Sequence, residues 1–185
     1  EFVLDEMTDL NQSDPGERFT DRIDLDMVGV FGHSTGGAAA VEFCWQDLRC
    51  KVVLGMDTWM APISDQVIEE SISQPIVLMH SQDWDTLFNP SGHYARADKL
   101  LKGLDQPGVQ FTIEGTKHLD FSSLPLLSPL MVNLGLKGPI DGDRVLEIIN
   151  TYTLDFFNHY LKSGKLSYLT KAQADYPEVI YGEHP

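Results

Sequence analysis

Gly32-His33-Ser34-Thr35-Gly36 sets a hydroxyl between two glycines in the spacing G-x-S-x-G. A serine hydroxyl becomes an acyl-transfer nucleophile only when a base lies within hydrogen-bond reach and an acid fixes that base's tautomer. Six histidines and 28 acidic residues offer partners, so position has to select among them. His118 directly follows an apolar run, Val109 to Glu114, in a loop opened by Gly115-Thr116-Lys117. His33 lies inside the serine turn and His80 ends another apolar run, while His93, His159 and His184 fall on helical segments or in the tail. His118 is therefore the candidate base. Three aspartates compete for the acid: Asp57, which closes KVVLGM, and Asp83 and Asp85, just past Ile76 to His80. Position alone leaves all three open, because aspartate also serves turns and helix caps.

These residues need elements to hold them. The apolar run Met27 to Phe31 reads as a strand, and Gly37-Ala38-Ala39-Ala40 opens a helix to about Asp47. A strand that reverses into a helix within a few residues strains the central residue, and side chains at Gly32 or Gly36 are expected to collide with the neighbouring backbone. The turn lifts Ser34 clear of the sheet. The Thr35 N–H, at the positive end of the helix, becomes the candidate oxyanion donor. Further strands are predicted at Lys51 to Met56, Ile76 to His80 and Val109 to Glu114, with helices over Glu1 to Asn11 and about Ser91 to Leu104. The most periodic helix carries Val145, Ile148, Ile149, Tyr152, Phe156 and Tyr160 on one face, capped by Asp141 or Asp143 and stopped by Gly164. Lys165 to Pro185 reads as irregular. Alternating strands and helices, without repeats or a linker, predict a single α/β domain over residues 1–185, with parallel strands and right-handed crossovers. Such sheets carry their sites at the carboxyl ends of strands.

VGVFGHSTGG, MDTWMAP and GTKHLDFSSLPLL resemble the plasma-type platelet-activating factor acetylhydrolase family, phospholipase-like serine esterases of the α/β-hydrolase fold. The resemblance covers roughly Asp26 to Leu136 and, more loosely, the last helix. It implies that the triad is formed by the elbow serine, the aspartate opening D-x-W-M and the histidine opening H-x-x-F, which fall on Ser34, Asp57 and His118. It also implies short or oxidised acyl esters of phospholipid-like or small substrates, with no metal or organic cofactor. A polyester hydrolase, cutinase or general carboxylesterase would more usually draw its acid from Asp83 or Asp85. A binding protein that keeps the fold without catalysis is a further alternative. Trp59, Met60, Leu119 and Phe121 flank the two loops and are candidates for an apolar substrate pocket, with core packing as the alternative.

Composition narrows the classes. A formal charge of −15 repels nucleic acid and anionic membrane surfaces. Cys44 and Cys50 are too few for a disulfide scaffold and leave the redox compartment open. The apolar stretch Leu119 to Leu136 is broken by Pro125 and Pro129, so it predicts no transmembrane segment and a soluble protein; Leu124 to Leu136 is expected as a buried connecting helix rather than a lipid contact. Asn11-Gln12-Ser13 matches a glycosylation sequon by pattern alone.

Met27 to Phe31 is apolar on both faces, as in a parallel strand paired on both sides, yet no other predicted strand is left to pair its outer edge. The oxyanion hole also needs a second donor from a loop after an earlier strand. The expectation is a carboxyl-terminal portion of a hydrolase domain whose amino-terminal half lies against that edge, and an isolated chain prone to aggregation.

Overall fold

Runs of Val, Ile, Leu and Met too short for a helix build the sheet in the computed structural model, which describes all residues except 85–91, 106–107, 124–125, 127–128, 170–173 and 182–185. Five strands lie in sequence order: β1 (Val28–His33), β2 (Cys50–Met56), β3 (Ile76–Ser81), β4 (Gly108–Ile113) and β5 (Val179–Tyr181). The first four are parallel, with Phe31 beside Leu54, Leu54 beside Val77, and Val77 beside Val109. The fifth is antiparallel and pairs Val179 with Ile113. This corrects the irregular tail: three residues suffice to cover the β4 edge, too few for a periodicity to register in sequence.

Side chains alternate between two cores. Val53, Ile76 and Leu78 point toward α2 (Thr35–Gln46), α3 (Asp65–Glu70) and α4 (His93–Lys102), where Val41, Val67 and Leu100 meet them. Val52, Leu54, Val77 and Met79 point the other way, onto Val145, Ile148, Tyr152 and Phe156 of α5 (Gly142–Lys162). Both faces of β2 and β3 are thus covered, which is why they read as continuous apolar runs. Short α3, lacking a long apolar repeat, was not predicted. Asp141 caps α5 by accepting from the Asp143 and Arg144 amides. Arg144 then ties that helix to the tail: it bonds Glu178 at 2.9 and 3.0 Å and the Asp175 carbonyl, and its guanidinium lies 4.8 Å over the Tyr176 ring.

The opposite edge differs. α1 (Phe2–Gln12) is bound to the body through Arg49, which pairs with Asp5 at 2.7 Å, but no described strand lies beyond β1. Phe31 is 60% exposed and Met27 47%. Cys44 and Cys50 form a disulfide, because the turn from α2 into β2 brings their Cα atoms to 5.1 Å.

The buried connecting helix expected over Leu124 to Leu136 is not found among the described residues. Among the described residues, Pro129–Met131 makes one 3-10 turn, while Leu126, Leu130, Leu134 and Leu136 are exposed. Proline lacks the amide hydrogen that would continue a helical ladder. No helix among the described residues is long and apolar enough to cross a membrane.

Candidate active site

Ser34 stands between β1 and α2 with φ 58° and ψ −122°, a conformation rarely adopted by a residue with a side chain. Backbone bonds hold it there: its amide donates to the Met56 carbonyl at 2.9 Å, and its carbonyl accepts from the Trp59 amide at 3.1 Å and from the Gly37 and Ala38 amides at 3.0 and 3.3 Å. The elbow is therefore fastened to the end of β2, where Asp57 begins. A Cβ on Gly32 would lie 2.2 Å from the Gly36 carbonyl oxygen, so glycine is compulsory there. The expectation for Gly36 is corrected. A Cβ at that position meets nothing within 4 Å, and the crowded position is Gly37, whose Cβ would fall 2.4 Å from Thr58 Oγ1. Thr35 opens α2, so its amide is one of the first-turn N–H groups without an intrahelical partner.

Asp57 is fully buried and, like Ser34, has a positive φ, 44°. Its Oδ1 accepts from the Ser81 amide at 2.6 Å. Its Oδ2 accepts from Ser81 Oγ at 3.0 Å and from His118 Nδ1 at 2.6 Å. A carboxylate only accepts, so the His118 hydrogen sits on Nδ1 and the lone pair of the neutral ring on Nε2. His118 opens a 3-10 turn, His118–Phe121, whose Asp120 carboxylate accepts from the Lys117 and Gly138 amides at 2.7 and 2.6 Å. Burial pushes the Asp120 carboxyl above its ordinary range.

The structure brings Ser34's neighbour His33 onto this loop. Its ring centroid is 4.4 Å from that of His118, and its Nε2 is 2.9 Å from the His118 carbonyl oxygen. Burial first, and the adjacent His118 second, hold the His33 imidazole below its ordinary pKa. Asp83 does not take Asp57's position: its Oδ1 lies 3.3 Å from Ser81 Oγ, and it lines a cavity of about 240 Å³ beside His118 with Lys117, Leu119, Gly135 and Leu136. Asp85 lies outside the described residues, as does His184. His80 and His93 are buried, His80 stacked on Trp84 and bonded to Gln110, His93 accepting the Met60 amide.

The four candidate pocket residues part company. Leu119 lines the cavity beside His118 and Trp59 is partly exposed. Met60, by contrast, is fully buried in the core with Ile63 and Val67, and Phe121 is buried against α5 and stacks on His33. An apolar side chain after a buried strand packs inward when a helix covers that face, and the sequence has no signal for which face Met60 takes. Ser81 was missed for a related reason. Only the register, Met56 beside Met79, reveals that the residue ending β3 sits next to the one following β2.

Ligand atoms of His33, Asp57 and His118 lie within 4.8 Å of one another, a set that could be read as a metal cluster. A metal needs a lone pair from each ligand. Here the Asp57 Oδ2 to His118 Nδ1 contact is already a hydrogen bond, and the His33 Nε2 hydrogen is directed at a carbonyl.

Residues 4–171 match the family platelet-activating factor acetylhydrolase, isoform II, a span that includes Ser34, Asp57 and His118. The chain belongs to this family. The platelet-activating factor acetylhydrolase of Gallus gallus is 27% identical over 157 residues, 84% of this chain and 36% of that protein. Its counterpart in Canis lupus familiaris is 28% identical over 147 residues, 78% of this chain and 32% of the relative. The chain thus spans about a third of the length of the curated acetylhydrolases it matches. Among solved structures, a ferulic acid esterase from Streptomyces cinnamoneus superposes with a TM-score of 0.70 at 22% identity, covering 98% of this chain and 55% of that one. The likeness shows the α/β-hydrolase fold, in which this acetylhydrolase-family chain contributes a mostly parallel sheet with flanking helices.

Proposed function

We propose that these residues form the acid, base and nucleophile of a serine esterase that cleaves short or oxidised acyl groups from phospholipid-like or small esters. The observation that carries the reading is the 2.6 Å bond from His118 Nδ1 to a buried Asp57, beside a strained Ser34. His118 Nε2 takes the Ser34 proton as Oγ attacks the ester carbonyl, and Asp57 stabilises the imidazolium. The Thr35 amide receives the oxyanion, His118 protonates the leaving alcohol, and water repeats the sequence on the acyl-enzyme. Trp59 and Leu119 would contact substrate, with Met60 and Phe121 supporting them from inside. Membership in the acetylhydrolase family supports the substrate class. The alternative that uses Asp83 gains nothing from its position on Ser81.

The same reading includes the rest of the domain. The exposed Phe31 on β1, Met27 just before it, and the exposed Thr35, Gly36 and Ala39 of α2 lie along the edge that a further strand and its loop would cover. We infer that residues 1–185 are the carboxyl-terminal portion of one α/β-hydrolase domain, with the amino-terminal half on this edge supplying the second oxyanion donor.

The test uses the intact protein. A panel of p-nitrophenyl esters of increasing chain length, run beside a phospholipid with a short sn-2 acyl group, should show turnover that falls as the acyl group lengthens. A fluorophosphonate should label Ser34. A folded, intact sample that neither labels nor turns over ester would instead identify a binding protein.

A further inference from the structure

His33 fills the variable position before the nucleophile, where the elbow spacing asks for no particular side chain. Its location nevertheless makes a bond across 85 residues of sequence, from Nε2 to the backbone carbonyl of His118 at 2.9 Å. A carbonyl only accepts, so the neutral ring carries its hydrogen on Nε2 and its lone pair on Nδ1. The ring has two ring neighbours on the His118–Phe121 turn, His118 at 4.4 Å and 36° and Phe121 at 6.2 Å and 15°. The far side of the same turn is fixed by Asp120, which holds the Lys117 and Gly138 amides. His118 is thus gripped at three points: its ring nitrogen by Asp57, its turn by Asp120, and its own carbonyl by the residue next to Ser34. Only the third grip connects the base directly to the elbow.

We propose that His33 is a positioning residue that sets the distance between His118 and Ser34. The proposal rests on the esterase reading above. A rigid link between elbow and base matters because a displacement of about 1 Å at reacting atoms costs on the order of 100-fold in rate. A neutral His33 also suits the site, since a second cation 4.4 Å from the imidazolium formed at His118 would oppose proton transfer. Burial keeps it so.

The experiment compares His33→Phe, which keeps the ring and loses the donor, with His33→Gln, which keeps an N–H at similar reach. Both are made in the intact protein and assayed on p-nitrophenyl acetate, with circular dichroism to confirm folding and Ser34→Ala as the inactive reference. The His118 Nδ1 proton is followed in parallel by its proton NMR resonance. We expect His33→Phe to lower kcat by about 10- to 100-fold with KM within about twofold, and to broaden or lose the resonance. His33→Gln should recover kcat to within about fivefold of the parent and keep the resonance. Parental kcat and an unchanged resonance in His33→Phe would overturn the proposal, as would equal impairment of both variants, which would indicate packing alone. If Ser34→Ala retains full turnover, the esterase reading fails, and the resonance decides by itself whether His33 positions His118. Should His33→Phe not fold, His33→Asn, too short to reach the carbonyl, takes its place with the same expectations.

Discussion

The two sides of the candidate site are built to different standards of enclosure. On the acid side, Asp57 is fully buried and receives three hydrogen bonds from β3 and the His118 turn. On the nucleophile side, Ser34 is held by backbone bonds to Met56, Trp59, Gly37 and Ala38, and Thr35 and Gly36 are exposed beside a strand whose outer edge no described strand pairs. Residues of this chain alone complete the charge-bearing half. The half that would receive the proposed oxyanion, at Thr35, is exposed. On the esterase reading proposed above, the difference teaches that orientation of the base is a local property of β2, β3 and the following turn, whereas the proposed amino-terminal half would enclose the reacting carbonyl.

Removing one group from each side is the most direct way to break this comparison. Ser34→Ala, assayed on a p-nitrophenyl ester in the intact protein, should lower kcat by about 10⁴-fold or more while the thermal melt stays in place. Asp57→Asn should cost about 10³-fold, less than the nucleophile because the remaining contacts still act. Near-parental kcat in the asparagine variant would move the acid to another residue. Glycine substitutions sharpen the contrast between covered and open backbone. Gly32→Ala should destabilise by about 2 kcal/mol or more in urea unfolding, since its Cβ meets a carbonyl oxygen. Gly36→Ala should be near neutral in residues 1–185 alone. In the intact protein it should cost as much as the Gly32 change if the amino-terminal half closes over α2. Equal tolerance in both samples would leave that face uncovered.

The smallest effect concerns pH. The folded-state pKa of His33 is depressed, so its neutral form is favoured by folding, and its contribution is complete above the ordinary imidazole range and lost as pH falls through the folded value. Melting temperatures at pH 7 and pH 5 should therefore drop less in His33→Gln than in the parent. An equal drop in both would assign the acid limb to other groups.

Sequence alone carried some of these features far and others not at all. The elbow, the strands ending at Asp57 and His118, and the α5 face were legible because apolar runs and turn residues mark them locally. Gly36 was misjudged because the collision expected there depends on which atoms approach the helix, and the crowding falls one residue later, at Gly37 against Thr58. The inward turn of Met60 and the bonds of Ser81 to Asp57 depend on register and on which face a helix covers. The Cys44–Cys50 bridge arises from the geometry of the turn between α2 and β2, and spacing left it open. The exposed leucines after His118 have the composition of a core segment, and only their placement shows otherwise.

Arg144 has a consequence for colloidal behaviour. One guanidinium holds Glu178, the Asp175 carbonyl and the Tyr176 ring, and through them keeps β5 on the outer edge of β4. The side chain is far in sequence from the strand whose edge it protects. Were it lost, the β4 ladder in residues 1–185 alone would present free amides and carbonyls opposite the outer edge of β1, which no described strand pairs. Molecules with two such edges can join end to end without a closing contact, so the choice between a species that stops growing and one that forms filaments would turn on a single arginine outside the sheet.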